Sequence, residues 1–290
     1  MSKLINTVVN YFSLVRFSHT VFAMPFALIG FVLAVSDERY SFNLKLLLLI
    51  ILCMVFARNA AMGFNRIVDR KFDSINPRTK GREIPAGKIR PESAAVFVTV
   101  NSVLFVITAG FINTLTLLLS PVALVIILGY SLTKRFTALC HFVLGLGLSL
   151  APVGAYISVT GAFNIIPVIY SVIVLTWVSG FDIIYSLQDD EFDRENKLHS
   201  IPTMTGRRRA LFVSGVLHFI TLAMIIFAGV AEKSGFLFWT GALIFSSLLI
   251  YQHTIVKATD LGRVNMAFAT TNGIGSIIFA LFVILDLIKF

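Results

Sequence analysis

The chain has 290 residues, 57% of them hydrophobic and only 13% charged, and its mean hydropathy is +0.88. A soluble domain carries about a quarter charged residues, so a soluble fold is excluded and a polytopic membrane protein of one domain, residues 1–290, is expected. The net charge of +9 does not point to nucleic acid, because the basic residues fall in short loops between apolar stretches, where they set orientation in the bilayer.

Crossing the hydrocarbon core takes about 20 apolar residues. Nine stretches approach that length: 18–36, 44–64, 92–112, 114–132, 138–159, 164–186, 209–230, 235–253 and 267–288. The expected fold is therefore all-α, with about nine transmembrane helices around a central cytosol-facing cavity. The first stretch, preceded by Lys3 and Arg16, imitates a signal peptide, but the spans that follow favour an uncleaved helix. Only Asn113 separates the third stretch from the fourth.

One set of loops holds Lys3 and Arg16, Arg66 through Arg90, Lys134 and Arg135, Arg194 through Arg209, and Lys257 and Arg263. The opposite set holds only Arg39, Lys45, Lys233 and Lys289. The positive-inside rule puts the first set and the N-terminus in the cytosol. Cys53 and Cys140 lie in or beside apolar stretches and read as small packing residues.

Two acidic clusters stand out against this background. Asn65, Asp69 and Asp73 follow the second stretch at i, i+4, i+8; Asp182, Asp189 and Asp193 close the sixth at i, i+7, i+11. Both spacings line one face of a helix, and both clusters fall on the cytosolic side. A carboxylate at the end of a span is costly and has a partner or a purpose. One Asp-x₃-Asp is more often a solvated acidic turn. Two of them, each flanked by Arg and Lys, point to paired Mg²⁺ sites that clamp a diphosphate, because Mg²⁺ is usually held by one or two carboxylates together with substrate phosphates.

Arg66, Arg78 and Arg82 surround the first cluster, and Lys134 and Arg135 follow Tyr130 on a short loop. Such cations can offset charge on a departing diphosphate. Arg207, Arg208 and Arg209 read instead as a lipid-headgroup anchor. A span, an acidic cluster, a basic stretch and an Ile-Pro step (Ile84-Pro85, then Ile201-Pro202) recur in order, which hints at an internal repeat. His19 lies at the mouth of the first span, where substrate contact and plain interfacial placement are equally open. His141, His218 and His253 lack metal-ligand spacing. Trp177 and Trp239 read as packing or interface residues, and Asn272 with Gly273 and Gly275 as close helix packing.

These residues resemble the UbiA superfamily of intramembrane prenyltransferases. The family's Asn-x₃-Asp-x₃-Asp signature matches Asn65, Asp69 and Asp73, and its continuation matches Arg78-Thr79 and Arg82-Glu-Ile-Pro85-Ala-Gly87. The second signature, Asp-x₃-Asp, matches Asp189 and Asp193. Around it, Asp182-x-x-Tyr185-Ser-x-Gln-Asp189 and Leu198-His-Ser-Ile-Pro202 are similar to the 4-hydroxybenzoate polyprenyltransferase branch, and Tyr130-x₃-Lys134 matches a further family element.

The resemblance implies Mg²⁺-dependent transfer of a polyprenyl group from a prenyl diphosphate to a 4-hydroxybenzoate-type acid in quinone biosynthesis, with the prenyl tail in a groove open to membrane lipids. It implies Asn65, Asp69, Asp73, Asp189 and Asp193 at the metal. Asn65, Arg66, Arg78, Arg82 and Lys134 would hold the diphosphate, with Tyr130 and Lys134 close to the chemistry. Arg135 would meet the acceptor carboxylate, and Asp182 would take the ring proton or polarise the acceptor hydroxyl. The stretch Arg16-Phe-Ser-His19-Thr departs from the Arg-x₃-Pro of the ubiquinone enzymes and is similar to a group tied to menaquinone made through futalosine. A hydroxynaphthoate-type acceptor therefore stays open. From a different class, an ion-coupled transporter is the rival; it would tend to place its carboxylates nearer the membrane midplane.

Overall fold

Lipid offers no partner to a backbone N–H or C=O, so apolar stretches of this length satisfy themselves as helices. The computed structural model describes residues 9–15 and 23–288. Among them, eight helices are long and apolar enough to cross a membrane, and a shorter apolar helix precedes these. In chain order the elements are α1 (Met24–Val35), α2 (Leu44–Val68), α3 (Arg70–Ile75), α4 (Pro91–Gly110), α5 (Thr114–Thr133), α6 (Cys140–Thr160), α7 (Ile165–Ser186), α8 (Asp190–Glu195), α9 (Ile201–Thr205), α10 (Arg207–Ala231), α11 (Phe236–Ile255) and α12 (Asn272–Ile288). A six-residue π-helical turn, Met266–Thr271, leads into α12. The first expected span is described only from residue 23, as the 12-residue α1; Lys3, Arg16 and His19 lie outside the described residues.

Local chemistry sets the helix ends. The Asn43, Asn113 and Asn164 side chains accept from backbone N–H groups in the first turns of α2, α5 and α7, as N-caps do. Asn113 also donates to the Ile157 and Ser158 carbonyls of α6, at 2.9 and 3.1 Å, so one residue both ends the short α4–α5 turn and docks it. α6 stops at Gly161, whose φ of +66° is the left-handed conformation that glycine tolerates best.

Helix α7 is the hub, packed between α6 and α10, while α1 lies against α6 and α12 and α2 lies against α4. The main core forms around Trp177 of α7, with Phe26, Phe245 and Phe279 from α1, α11 and α12. Trp177 donates its indole N–H to Asn272 Oδ1 at 2.9 Å, and a side chain on Gly275 would press on Phe245. The expected close packing of that last span is what the structure has.

Two local expectations need correction. Neither acidic cluster rides one unbroken helix. α2 ends at Val68, and Asp69 (φ −86°, ψ 1°) turns the chain into α3. After Ser186, α7 tightens into the 3₁₀ turn Leu187–Asp189 before α8 begins. Asp competes with the backbone for hydrogen bonds and sits poorly inside helices, so the chain breaks where the carboxylates cluster. Nor do the two Ile-Pro steps share a conformation, since Ile84-Pro85 lies in a turn and Ile201-Pro202 opens α9.

Candidate active site

A cavity of about 270 Å³ opens between α2, α5, α6, α7 and the segments that follow α2 and α7. All twelve residues singled out from the sequence line it: Asn65, Arg66, Asp69, Asp73, Arg78, Arg82, Tyr130, Lys134, Arg135, Asp182, Asp189 and Asp193. They come from opposite halves of the chain because α2 and α7 both deliver their final turns to the same end of the bundle.

Each motif aspartate faces its own cation. Arg82 Nη1 donates to both oxygens of Asp73, at 2.7 and 2.9 Å. Arg135 Nη2 donates to Asp69 Oδ1 at 3.2 Å and to the Val68 carbonyl at 2.8 Å. Lys134 Nζ stands 2.7 Å from Asp193 Oδ2. Arg78 reaches across to Asp189 with two donors, its Nε at 2.9 Å and its Nη2, while its Nη1 donates to the Tyr185 hydroxyl at 3.1 Å. Asn76 adds a 3.2 Å hydrogen bond to Asp189, and Asn65 donates to Asp69 Oδ2 at 2.9 Å.

Burial and the nearby Asp73 carboxylate push the Asp69 carboxyl up to about 6, against the pull of Arg135 and Lys134. Burial works to lower the Lys134 ammonium, but the Asp193 carboxylate outweighs it and raises the group above its ordinary value. Arg135, expected at an acceptor carboxylate, is thus engaged with the first aspartate motif. Arg207 lies away from the cavity, paired with Asp190 and Glu191.

Two residues to which the sequence assigned no role belong to the site, and a third lies on the same helix face beyond it. His141, set aside for want of metal spacing, lines the cavity and places Nδ1 2.7 Å from Asp182 Oδ2. Tyr185 joins the Arg78–Asp189 pair and puts its ring under the Arg78 guanidinium. Arg58 sits in the apolar body of α2, one turn before the cavity-lining Met62. Positions 58, 62, 65 and 69 share one helix face, so Arg58 lies about 16 Å along the axis from Asp69. Its Nε is buried without a partner. A cation inside a span is a signal in itself, and that signal is present in the sequence.

Whether Mg²⁺ fits can be judged from the donor set. Among the described residues, no three Asp, Glu, His or Cys side chains converge tightly enough to hold an ion alone. The two motifs instead offer hard carboxylate oxygens in pairs. That suits Mg²⁺, which takes few protein ligands and completes its shell with phosphate oxygens and water.

An all-helical integral membrane protein with a carboxylate-rich cavity at one end of its bundle is the class that this fold and site define. Residues 23–281 match the model of the UbiA prenyltransferase family, and the chain belongs to that family of enzymes. It is 31% identical over 235 residues to a 4-hydroxybenzoate octaprenyltransferase of Vibrio parahaemolyticus, covering 80% of this chain and 81% of the relative. A 4-hydroxybenzoate octaprenyltransferase of Aliivibrio fischeri is 32% identical over 234 residues, with 80% and 81% covered. Among solved structures, an apo UbiA homolog from Aeropyrum pernix K1 superposes with a TM-score of 0.83 at 33% identity, covering 92% of this chain and 98% of that one. A UbiA homolog from Archaeoglobus fulgidus bound to DMAPP and Mg²⁺ shares the fold, with a TM-score of 0.76 at 21% identity and 97% and 100% coverage.

Proposed function

We propose that this enzyme transfers a polyprenyl group from a prenyl diphosphate to the ring of a 4-hydroxybenzoate-type acid, with Mg²⁺ at its two aspartate motifs. The observation that carries the reading is the convergence of both motifs, each carboxylate matched by a cation, on one cavity. The names of its relatives support the acceptor class. The Mg²⁺-bound and DMAPP-bound homolog supports the donor class. The excess of Lys and Arg in loops at the cavity end supports a site facing the cytosol of a bacterial inner membrane.

Bound Mg²⁺, held by Asp69, Asp73, Asp189 and Asp193 with Asn65 beside them, would neutralise the diphosphate and act as a Lewis acid on its oxygens. Arg66, Arg78, Arg82 and Lys134 then meet the charge that develops on the leaving diphosphate. Met62, Phe72 and Leu144 give the cavity an apolar wall, which keeps water from the allylic cation left when the C–O bond breaks. Tyr130, one turn before Lys134, adds its ring to that wall. The acceptor ring attacks the cation, and the Asp182 carboxylate takes the ring proton. Arg58 is the cation available for the acceptor's own carboxylate, since it makes no ion pair among the described residues, whereas Arg135 is engaged by Asp69.

Membranes carrying the protein, given Mg²⁺ and a long prenyl diphosphate, should prenylate 4-hydroxybenzoate and lose that activity in EDTA. A hydroxynaphthoate offered in parallel tests the acceptor, and product from the naphthoate alone would move the acceptor class. Failure to bind any prenyl diphosphate would overturn the reading and reopen ion transport.

A further inference from the structure

The Leu198-His-Ser-Ile-Pro202 segment ends up against the start of α6. The His199 N–H donates to the Lys134 carbonyl at 2.7 Å, and Cys140 Sγ lies 3.6 Å from the His199 carbonyl. Ser200 then caps α9 with a reciprocal capping box to Thr203. A helix start leaves its first N–H groups without helical partners. Here the Ile201 N–H donates to His141 Nε2 at 3.3 Å.

That bond bears on the tautomer of the imidazole. A ring nitrogen that accepts carries no proton, so in the neutral ring the proton sits on Nδ1. Nδ1 is 2.7 Å from Asp182 Oδ2, so His141 donates there. The imidazole is 2% exposed and the Asp182 side chain 22%; the ring is the buried support, and the carboxylate is the group that meets the cavity. Among the described residues, His141 is the sole hydrogen-bond partner of the Asp182 side chain. One oxygen is therefore tied and the other is left for a reactant.

We infer that His141 is a positioning residue for prenyl transfer, holding the Asp182 carboxylate so that its second oxygen collects the acceptor's ring proton. The inference rests on the proposed reaction. In that step a bond forms between the acceptor ring carbon and the first prenyl carbon, and the diphosphate departs with the electron pair of the C–O bond. The ring proton then passes to Asp182 and on to solvent, while His141 keeps its own proton on Nδ1 throughout. A buried partner of this kind fixes rotamer and direction, as orienting groups do behind other catalytic side chains.

The test compares the wild type with Asp182→Asn, His141→Ala, His141→Gln and the Asp182→Asn/His141→Ala double variant in membranes, measuring kcat, both KM values and thermal stability in detergent. His141→Ala should lower kcat about 100-fold and leave the KM for prenyl diphosphate unchanged. His141→Gln, whose amide can donate to Asp182 and accept from Ile201, should recover most of the rate. The double variant should be no slower than Asp182→Asn alone, because the two residues act as a unit. Wild-type kcat in a folded His141→Ala, or losses that multiply in the double variant, would overturn the positioning role and leave the reaction standing. A wild type that makes no prenylated hydroxyarene would overturn the reaction and this role together.

Discussion

The two aspartate motifs look alike as strings of residues, yet they are held in different ways. In the first, Asp73 is paired by Arg82, nine residues on in the same segment, and Asp69 keeps a side chain 30% exposed. In the second, Asp193 is 1% exposed, and both aspartates depend on cations from distant parts of the chain, Arg78 and Lys134. In the first motif Asp73 has a local partner while Asp69 takes Arg135 from 66 residues away; in the second, neither cation is local. Arg78 joins them, because it follows the first motif in sequence and grips the second in space.

The largest expected effect comes from removing a motif carboxylate. Asp69→Ala or Asp189→Ala should each reduce prenyl transfer by about a thousandfold, with the protein still folded in membranes. Turnover near wild type in both would break the paired-site reading. Arg78→Ala should cost about 100-fold. If the motifs are coupled through this residue, it should also weaken Mg²⁺ dependence more than Arg82→Ala does, measured as the Mg²⁺ concentration for half-maximal rate. Arg58→Ala tests the buried cation beyond Met62 on the same helix face: the acceptor KM should rise about 10- to 100-fold, the worth of a lost charge-assisted hydrogen bond, with the prenyl diphosphate KM unmoved.

pH sharpens the contrast on the first motif. With Asp69 raised to about 6, the proton is bound below that pH and competes with the metal. Mg²⁺ affinity should therefore fall by about tenfold per pH unit below 6 and be insensitive to this group above it. Titrating Mg²⁺ activation between pH 5 and 8 checks the sign, and Asp69→Asn should flatten the low-pH limb. The smallest effect on turnover is expected from Arg207→Ala, whose partners Asp190 and Glu191 lie off the cavity; activity per folded protein should change by about twofold or less, since no group at the cavity loses a partner.

Several features are legible in the amino-acid sequence alone. Hydropathy gives spans such as 44–64 and 114–132 close to α2 and α5, because backbone satisfaction in lipid leaves helix as the only option. The carboxylates Asp69, Asp73, Asp189 and Asp193 stand out because charge at a membrane span is too costly to be incidental. Arg58 yields to the same reasoning applied inside a span. His141 does not, since its meaning comes from Asp182, 41 residues away, and from a helix start 60 residues away.

The sequence by itself therefore determined the all-helical membrane architecture and singled out the charged residues that line the cavity. Both follow from local costs: apolar length against the bilayer, and carboxylates that need partners. Tertiary structure alone decided that Arg135 turns to Asp69, that Arg78 and Lys134 meet Asp189 and Asp193, and that an imidazole stands behind Asp182. Those are long-range pairings, set by how α2, α6 and α7 pack side by side, and no spacing along the chain encodes them.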